Sequence, residues 1–112
     1  MKFDTEKDGL HTLFKPYQAL LIEHIWDLNK EGRVGINSRG AHRFLQGTPE
    51  KMSRASAIIF LNEMVDEGVL EYEEKSGKGG YHRVYYPKTN REEFAVYVKE
   101  LINNKLKEIF LS

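Results

Sequence analysis

Apolar residues recur at three- and four-residue spacing in four stretches of the chain, and shorter strand-like pieces separate them. The clearest stretch covers residues 53–70, SRASAIIFLNEMVDEGVL. Ala57, Phe60, Leu61, Met64 and Val65 fall on one side of a helix there, which predicts a single buried face. Ser53 is suited to accept hydrogen bonds from the free amides of the first turn, and Gly68 suits a left-handed residue closing the helix. Arg54, Ser56, Ile58 and Asn62 fall outside the stripe.

Upstream, residues 1–13 are polar apart from isolated apolar positions such as Phe3 and Leu10, and read as an N-terminal arm or a weak short helix. Pro16 suits a first helical position, and Tyr17, Leu20, Leu21, Ile25 and Leu28 keep helical spacing until Glu31 and Gly32. Ile22 and Trp26 lie to one side of that stripe, either as further core or as a contact with the C-terminal helix in a dimer. Val34 to Ile36 is a minimal first strand. Asn37 or Ser38 then caps a second helix running to about Gln46, with Ala41, Phe44 and Leu45 inward and Arg39 and Arg43 outward. Gly47, Thr48 and Pro49 break it, so two helices follow one another around a slightly long turn, a helix-turn-helix spacing.

Residues 69–74 and 81–87 read as two strands around the loop SGKGG at 76–80, whose three glycines favour a mobile tip. Lys75, Lys78 and Arg83 put cations on or beside that tip, where such a wing can follow a phosphate backbone or enter a minor groove. SGKGG is not a nucleotide-cradling loop, because no Gly-Lys-Ser/Thr leads into a helix. The last helix begins at Asn90 and carries Phe94, Val98, Leu101, Ile102, Leu106, Ile109 and Phe110 over about six turns, roughly 30 Å at about 1.5 Å per residue. A small core cannot cover a stripe that long. Phe94, Val98, Leu101, Ile102, Leu106 and Ile109 are therefore expected to meet a second copy of the chain, the other reading being a helix folded back on its own domain. The expected fold class is α+β, a winged helix-turn-helix with a three-helix core and a β-hairpin wing over 14–88, followed by a C-terminal dimerisation helix over 89–112.

The 112 residues carry 17 basic and 17 acidic side chains, and this zero balance changes meaning once it is resolved along the chain. Residues 32–62 hold five bases (Arg33, Arg39, Arg43, Lys51, Arg54) against Glu50 alone. Residues 63–74 hold six acids and no base, and residues 75–91 hold Lys75, Lys78, Arg83, Lys88 and Arg91 with no acid. Sorted charge of this kind is what a protein with one cationic face requires. The absence of cysteine excludes disulfides and thiolate metal sites and fits a reducing cytoplasm, the expected location. The polar start MKFDTEKDG is no signal peptide, and no apolar run is long enough for a membrane span.

His11, His24, His42 and His82 are scattered rather than spaced as a local metal site, and His24 reads as a partly buried helix residue. Glu71, Glu73 and Glu74 form a solvated acidic edge rather than an acid-base pair. No serine or threonine sits in a nucleophile elbow, so no enzymatic chemistry is expected, nor a cofactor or a metal, the alternative for the histidines being a metal sensed across a dimer.

With these elements in place, the chain resembles prokaryotic winged-helix transcriptional regulators of the penicillinase-repressor (BlaI/MecI-like) and MarR-like group. The resemblance runs from about Phe14 to Phe110. It is carried by ALLIEHIWDLN, by SRASAIIFLNEMVDEGVLEYEE, and by GGYHRVYYP followed by a terminal helix. It implies that Ser53, Arg54 and Ser56 face a DNA groove while Lys78 and Arg83 serve the wing. Where relatives often carry a basic or polar side chain on the exposed face of the third helix, this chain has Ile58, which can pack on a thymine methyl or serve a protein contact. Neither the cysteine cluster of the copper-responsive regulators nor a cleavage site of the protease-cleaved ones is found here.

The expected function is sequence-specific binding of double-stranded DNA by a homodimeric regulator, acting as a repressor. Arg39, Arg43, Lys51, Ser53, Arg54, Ser56, Ile58, Lys75, Lys78 and Arg83 are the expected DNA-facing set. The alternative is a winged-helix module that docks on a protein of the transcription machinery through Ile58, Ile59 and Trp26. A small-molecule effector has a candidate space among Tyr17, Trp26, Phe94 and Tyr97, residues that equally suit plain core.

Overall fold

The computed structural model describes residues 13–111. The arm expected over 1–13 lies outside them except for Leu13, which packs partly buried against the core, and His11 lies outside them too. The described chain is α+β, with four helices and one two-stranded antiparallel hairpin: α1 (Pro16–Leu28), α2 (Ser38–Gln46), α3 (Arg54–Asp66), β1 (Leu70–Gly77), β2 (Gly80–Pro87) and α4 (Arg91–Leu111). No helix among the described residues is long and apolar enough to cross a membrane.

Pro16 opens α1 at a position whose amide would have no helical partner. The helix stops at Leu28, three residues before Glu31, because Asn29 closes it. The Asn29 amide donates to the carbonyls of Ile25 and Val34, each at 2.8 Å, and its oxygen accepts from the Val34 amide at 2.7 Å. Of the two readings for Ile22 and Trp26, core is the observed one: both are buried, and the Trp26 indole N–H donates to the Thr89 carbonyl at 2.9 Å. Asn37, rather than Ser38, caps α2 by accepting from the Gly40 amide.

Ser53 caps α3, accepting from the Ser56 amide at 3.1 Å. At the other end Gly68 adopts φ 80°, a conformation that glycine reaches without a Cβ penalty. Its amide donates to Val65 and the Val69 amide to Met64, so two of the helix's last free carbonyls are satisfied while Val69 turns into the core. Ala57, Phe60, Leu61 and Met64 are buried as the spacing predicts, and Val65 packs against them partly covered. They meet Leu21, Ile22 and Ile25 of α1, Ala41 and Leu45 of α2, and Leu70 and Tyr85 of the hairpin in one core. Each large side chain fully buried there contributes about 1.5–3 kcal/mol before the cost of ordering it.

The hairpin is longer and tighter than its glycines suggest. The strands pair from Leu70 opposite Pro87 to Gly77 opposite Gly80, leaving only Lys78 and Gly79 in the turn, with Gly80 at φ 98°. The expected first strand reduces to one bridge: the amides of Ile36 and Tyr85 each donate to the other's carbonyl, at 2.9 and 2.8 Å. Gly35 beside it must be small, since a Cβ there would collide with Val84 and come within 2.8 Å of the Tyr86 ring.

His24 stacks on Phe44 with ring centroids 3.9 Å apart, tying α1 to α2. Burial lowers its pKa below 6.5, with Asp27 pulling weakly the other way. The unfolded chain therefore binds the proton more readily than the folded one, and stability is lost as the pH falls through about 6.5. In thermal melts between about pH 5 and 7, His24→Gln is expected to flatten this slope. An unchanged slope would contradict the assignment.

α4 departs most from expectation. Phe94 is 3% exposed, with its ring 5.9 Å from Phe14, 5.3 Å from Trp26 and 6.3 Å from Tyr97. It belongs to the chain's own core and is not available to a second copy, which corrects its expected place in a dimer contact. Val98 also packs partly buried against that core. Beyond it, Leu101 is half-covered, while Ile102, Leu106, Ile109, Phe110 and Leu111 are exposed, from 41% to 79%. The described protein is elongated, 54 × 29 × 27 Å.

Candidate nucleic-acid interface

The turn between α2 and α3 is held by its own polar groups. The Thr48 hydroxyl donates to Leu45 and accepts from the Glu50 amide, and the Gln46 amide donates to the Met52 carbonyl. The first turn of α3 is thereby fixed beside the first turn of α2. Arg54 spans the two: its Nε and Nη2 donate to the Ser38 hydroxyl at 3.2 and 3.0 Å. Two helix N-termini and one guanidinium thus converge on a single surface, a combination that favours anions.

Around this junction Arg39 and Arg43 are exposed on α2, four residues apart on the side opposite buried Ala41 and Leu45. Lys51, Ser53 and Arg54 are exposed as well. Ser56 and Ile58 are only half-exposed, and the Ser53 hydroxyl donates to that of Ser56 at 3.0 Å. The outward residues on the first two turns of α3 are instead Ala55 and Ile59, the latter 59% exposed. The expected groove-facing set contains neither, although the periodicity holds the signal: a stripe centred on Ala57, Phe60, Leu61 and Met64 has Ala55 and Ile59 across the cylinder from it.

Lys75 and Lys78 are exposed on the hairpin, Lys78 in its turn. Arg83 is half-buried at the hairpin's contact with α3 rather than at its tip. It donates to the Asn62 side-chain oxygen at 3.1 Å and lies 4.0 Å over the Tyr72 ring. The Tyr85 hydroxyl donates to the same Asn62 oxygen at 2.6 Å, and burial pushes its pKa up against the opposing effect of Arg83, which keeps the donor proton in place. Asn62, Arg83 and Tyr85 therefore hinge the hairpin to α3. Residues Lys75, Lys78 and Arg83 from one cationic segment and Arg54 from the other are thus carried by α3 and the hairpin bonded to it.

The acidic block between them divides. Glu71 and Glu73 lie on the opposite hairpin face from Arg83, where Arg33 pairs with them at 3.5 and 3.0 Å and stacks 3.5 Å over Tyr86. Glu74 sits across the strands from Arg83. Glu63 and Asp66 are exposed on the last turns of α3, so its cationic character is confined to its N-terminal end.

The other expected sites look different in three dimensions. Of Ile58, Ile59 and Trp26, only Ile59 is exposed, so these residues do not assemble one docking face. Tyr17, Trp26, Phe94 and Tyr97 pack in and against the aromatic core around Phe14 and Phe60, the role of plain core, and the Tyr97 hydroxyl donates to the Glu67 carbonyl. Among the described residues no group of three or more His, Asp or Glu side chains comes together as a metal site. Compared with protein-family models, curated proteins and solved structures, the chain matches none.

Proposed function

We propose that the chain is a winged helix-turn-helix, sequence-specific DNA-binding regulator that acts as a homodimer, with α3 entering the major groove and the hairpin as its wing. The observation that carries this reading is the Arg54–Ser38 contact, which joins the first turns of α2 and α3 in a surface bearing exposed Arg39, Arg43 and Lys51. Phosphate contacts from such groups and from helix N-termini set the register of a protein on the duplex, and the side chains of the first turns of α3 then meet base edges. The hinge through Asn62 supports a wing whose position follows that of α3, so that Lys75 and Lys78 reach the flanking backbone. The exposed distal stripe of α4 supports pairing of two copies, which would set two α3 helices against two half-sites. Repression follows where such a dimer occupies a promoter. The same reading makes the protein non-enzymatic and cytoplasmic, and it agrees with the resemblance to penicillinase-repressor-like regulators.

Titration against its own promoter DNA tests the proposal. If about six phosphates are neutralised, log affinity falls with log salt at a slope of about −5. Arg54→Ala is expected to relax sequence preference by about 1–3 kcal/mol, whereas Lys78→Ala weakens all duplexes nearly equally. Binding that is insensitive to salt would rule the proposal out.

A further inference from the structure

We propose that Ala55 and Ile59 read thymine C5-methyl groups on the floor of the major groove. This rests on the DNA-binding function above and assigns part of the sequence preference within it. Both residues lie on the outward side of α3, away from buried Ala57, Phe60, Leu61 and Met64. One exposed isoleucine on a surface is ordinary. The setting of this one distinguishes it, since the apolar pair lies beside Arg54, with Lys51 just before it and Arg39 next to Ser38 on the neighbouring helix, all three cations exposed.

An apolar pair bordered by cations on its N-terminal side complements a duplex groove, whose walls are phosphates and whose floor carries methyl groups wherever thymine occurs. A polar base edge against Ile59 would lose water and gain no partner, so the contact discriminates against other pairs as well as favouring thymine. Four residues along a helix span about 6 Å, against about 3.4 Å per base pair, so the two contacts fall about two base steps apart. Exposed Glu63 and Asp66 repel phosphate farther along α3 and limit groove contact to its first two turns.

The test begins with duplexes enriched by the full chain from a randomised pool. The preferred duplex is then resynthesised with deoxyuridine replacing thymine at one position at a time, which removes the methyl and leaves every hydrogen-bonding group. Affinity is expected to drop roughly fourfold at two positions per half-site, from the loss of one buried methyl at each. Ile59→Ala should abolish the drop at one of these positions and leave the other. If deoxyuridine changes nothing, or if Ile59→Ala keeps both drops, the assignment is overturned while DNA binding stands, and the apolar face is then a protein contact. If no duplex is enriched over the pool, the proposed function and this inference fall together.

Discussion

Replacing Leu106 and Ile109 together by glutamate is expected to give a folded monomer that binds its preferred duplex roughly a hundredfold or more weakly than the parent. Both side chains are already exposed, at 47% and 68%, so the substitutions disturb no packing within one copy of the chain. With Ile102 they occupy positions four and three residues apart on α4, and Phe110 beside them extends the apolar surface toward the end of the described helix. Pairing two such helices buries several large side chains at about 1.5–3 kcal/mol each, and glutamates at the centre of that contact would have to shed water without a partner. In the proposed dimer, loss of pairing would also uncouple the two half-sites, so the second α3 would no longer bind at the high effective concentration set by the first. Sedimentation equilibrium and a DNA titration on the same samples check both effects. A parent protein that sediments as a monomer, or a double variant that stays dimeric, would remove α4 as the dimerisation element.

The helices were legible because each is specified by several signals at once. α3 has a capping serine, a stripe of one period and a closing glycine, and the structure uses all of them. The rest was hidden because tertiary contacts decided it. Nothing local in the sequence shows that Phe94 turns inward, since its packing depends on Phe14 and Trp26, 80 and 68 residues before it. Arg83 carries the same lesson: its charge suggests a wing contact, but the oxygen of Asn62 on α3 holds its guanidinium midway along the hairpin, against the helix. For Ile58 and Ile59 the helical period itself carries the facing, because adjacent helical residues differ by about 100° around the axis, so that Ile59 is exposed and Ile58 half-exposed. The elements of the candidate site were thus readable from the sequence, and the partners of individual side chains within it were not.

Phe94→Ala is expected to cost about 3–5 kcal/mol of folding stability, a large part of the roughly 5–15 kcal/mol that holds a typical domain together. Phe94 fills a space closed by Phe14, Trp26 and Tyr97, aromatic side chains from three segments that cannot all collapse into the void. Trp26 is further held by its bond to the Thr89 carbonyl, just before α4, so the cavity cannot be relieved by a simple shift of the indole. The informative measurement is made in the Leu106→Glu, Ile109→Glu background, where association no longer contributes to stability. There the melting temperature should still fall on the order of 15 °C, independent of protein concentration. The chain has one tryptophan, so its emission reports opening at this junction directly. If Phe94 acted at the dimer contact, its loss would show in the dimer and vanish in the monomeric background. If it acts in the core, Phe94→Leu should recover much of the stability in both, because most of the buried volume is restored.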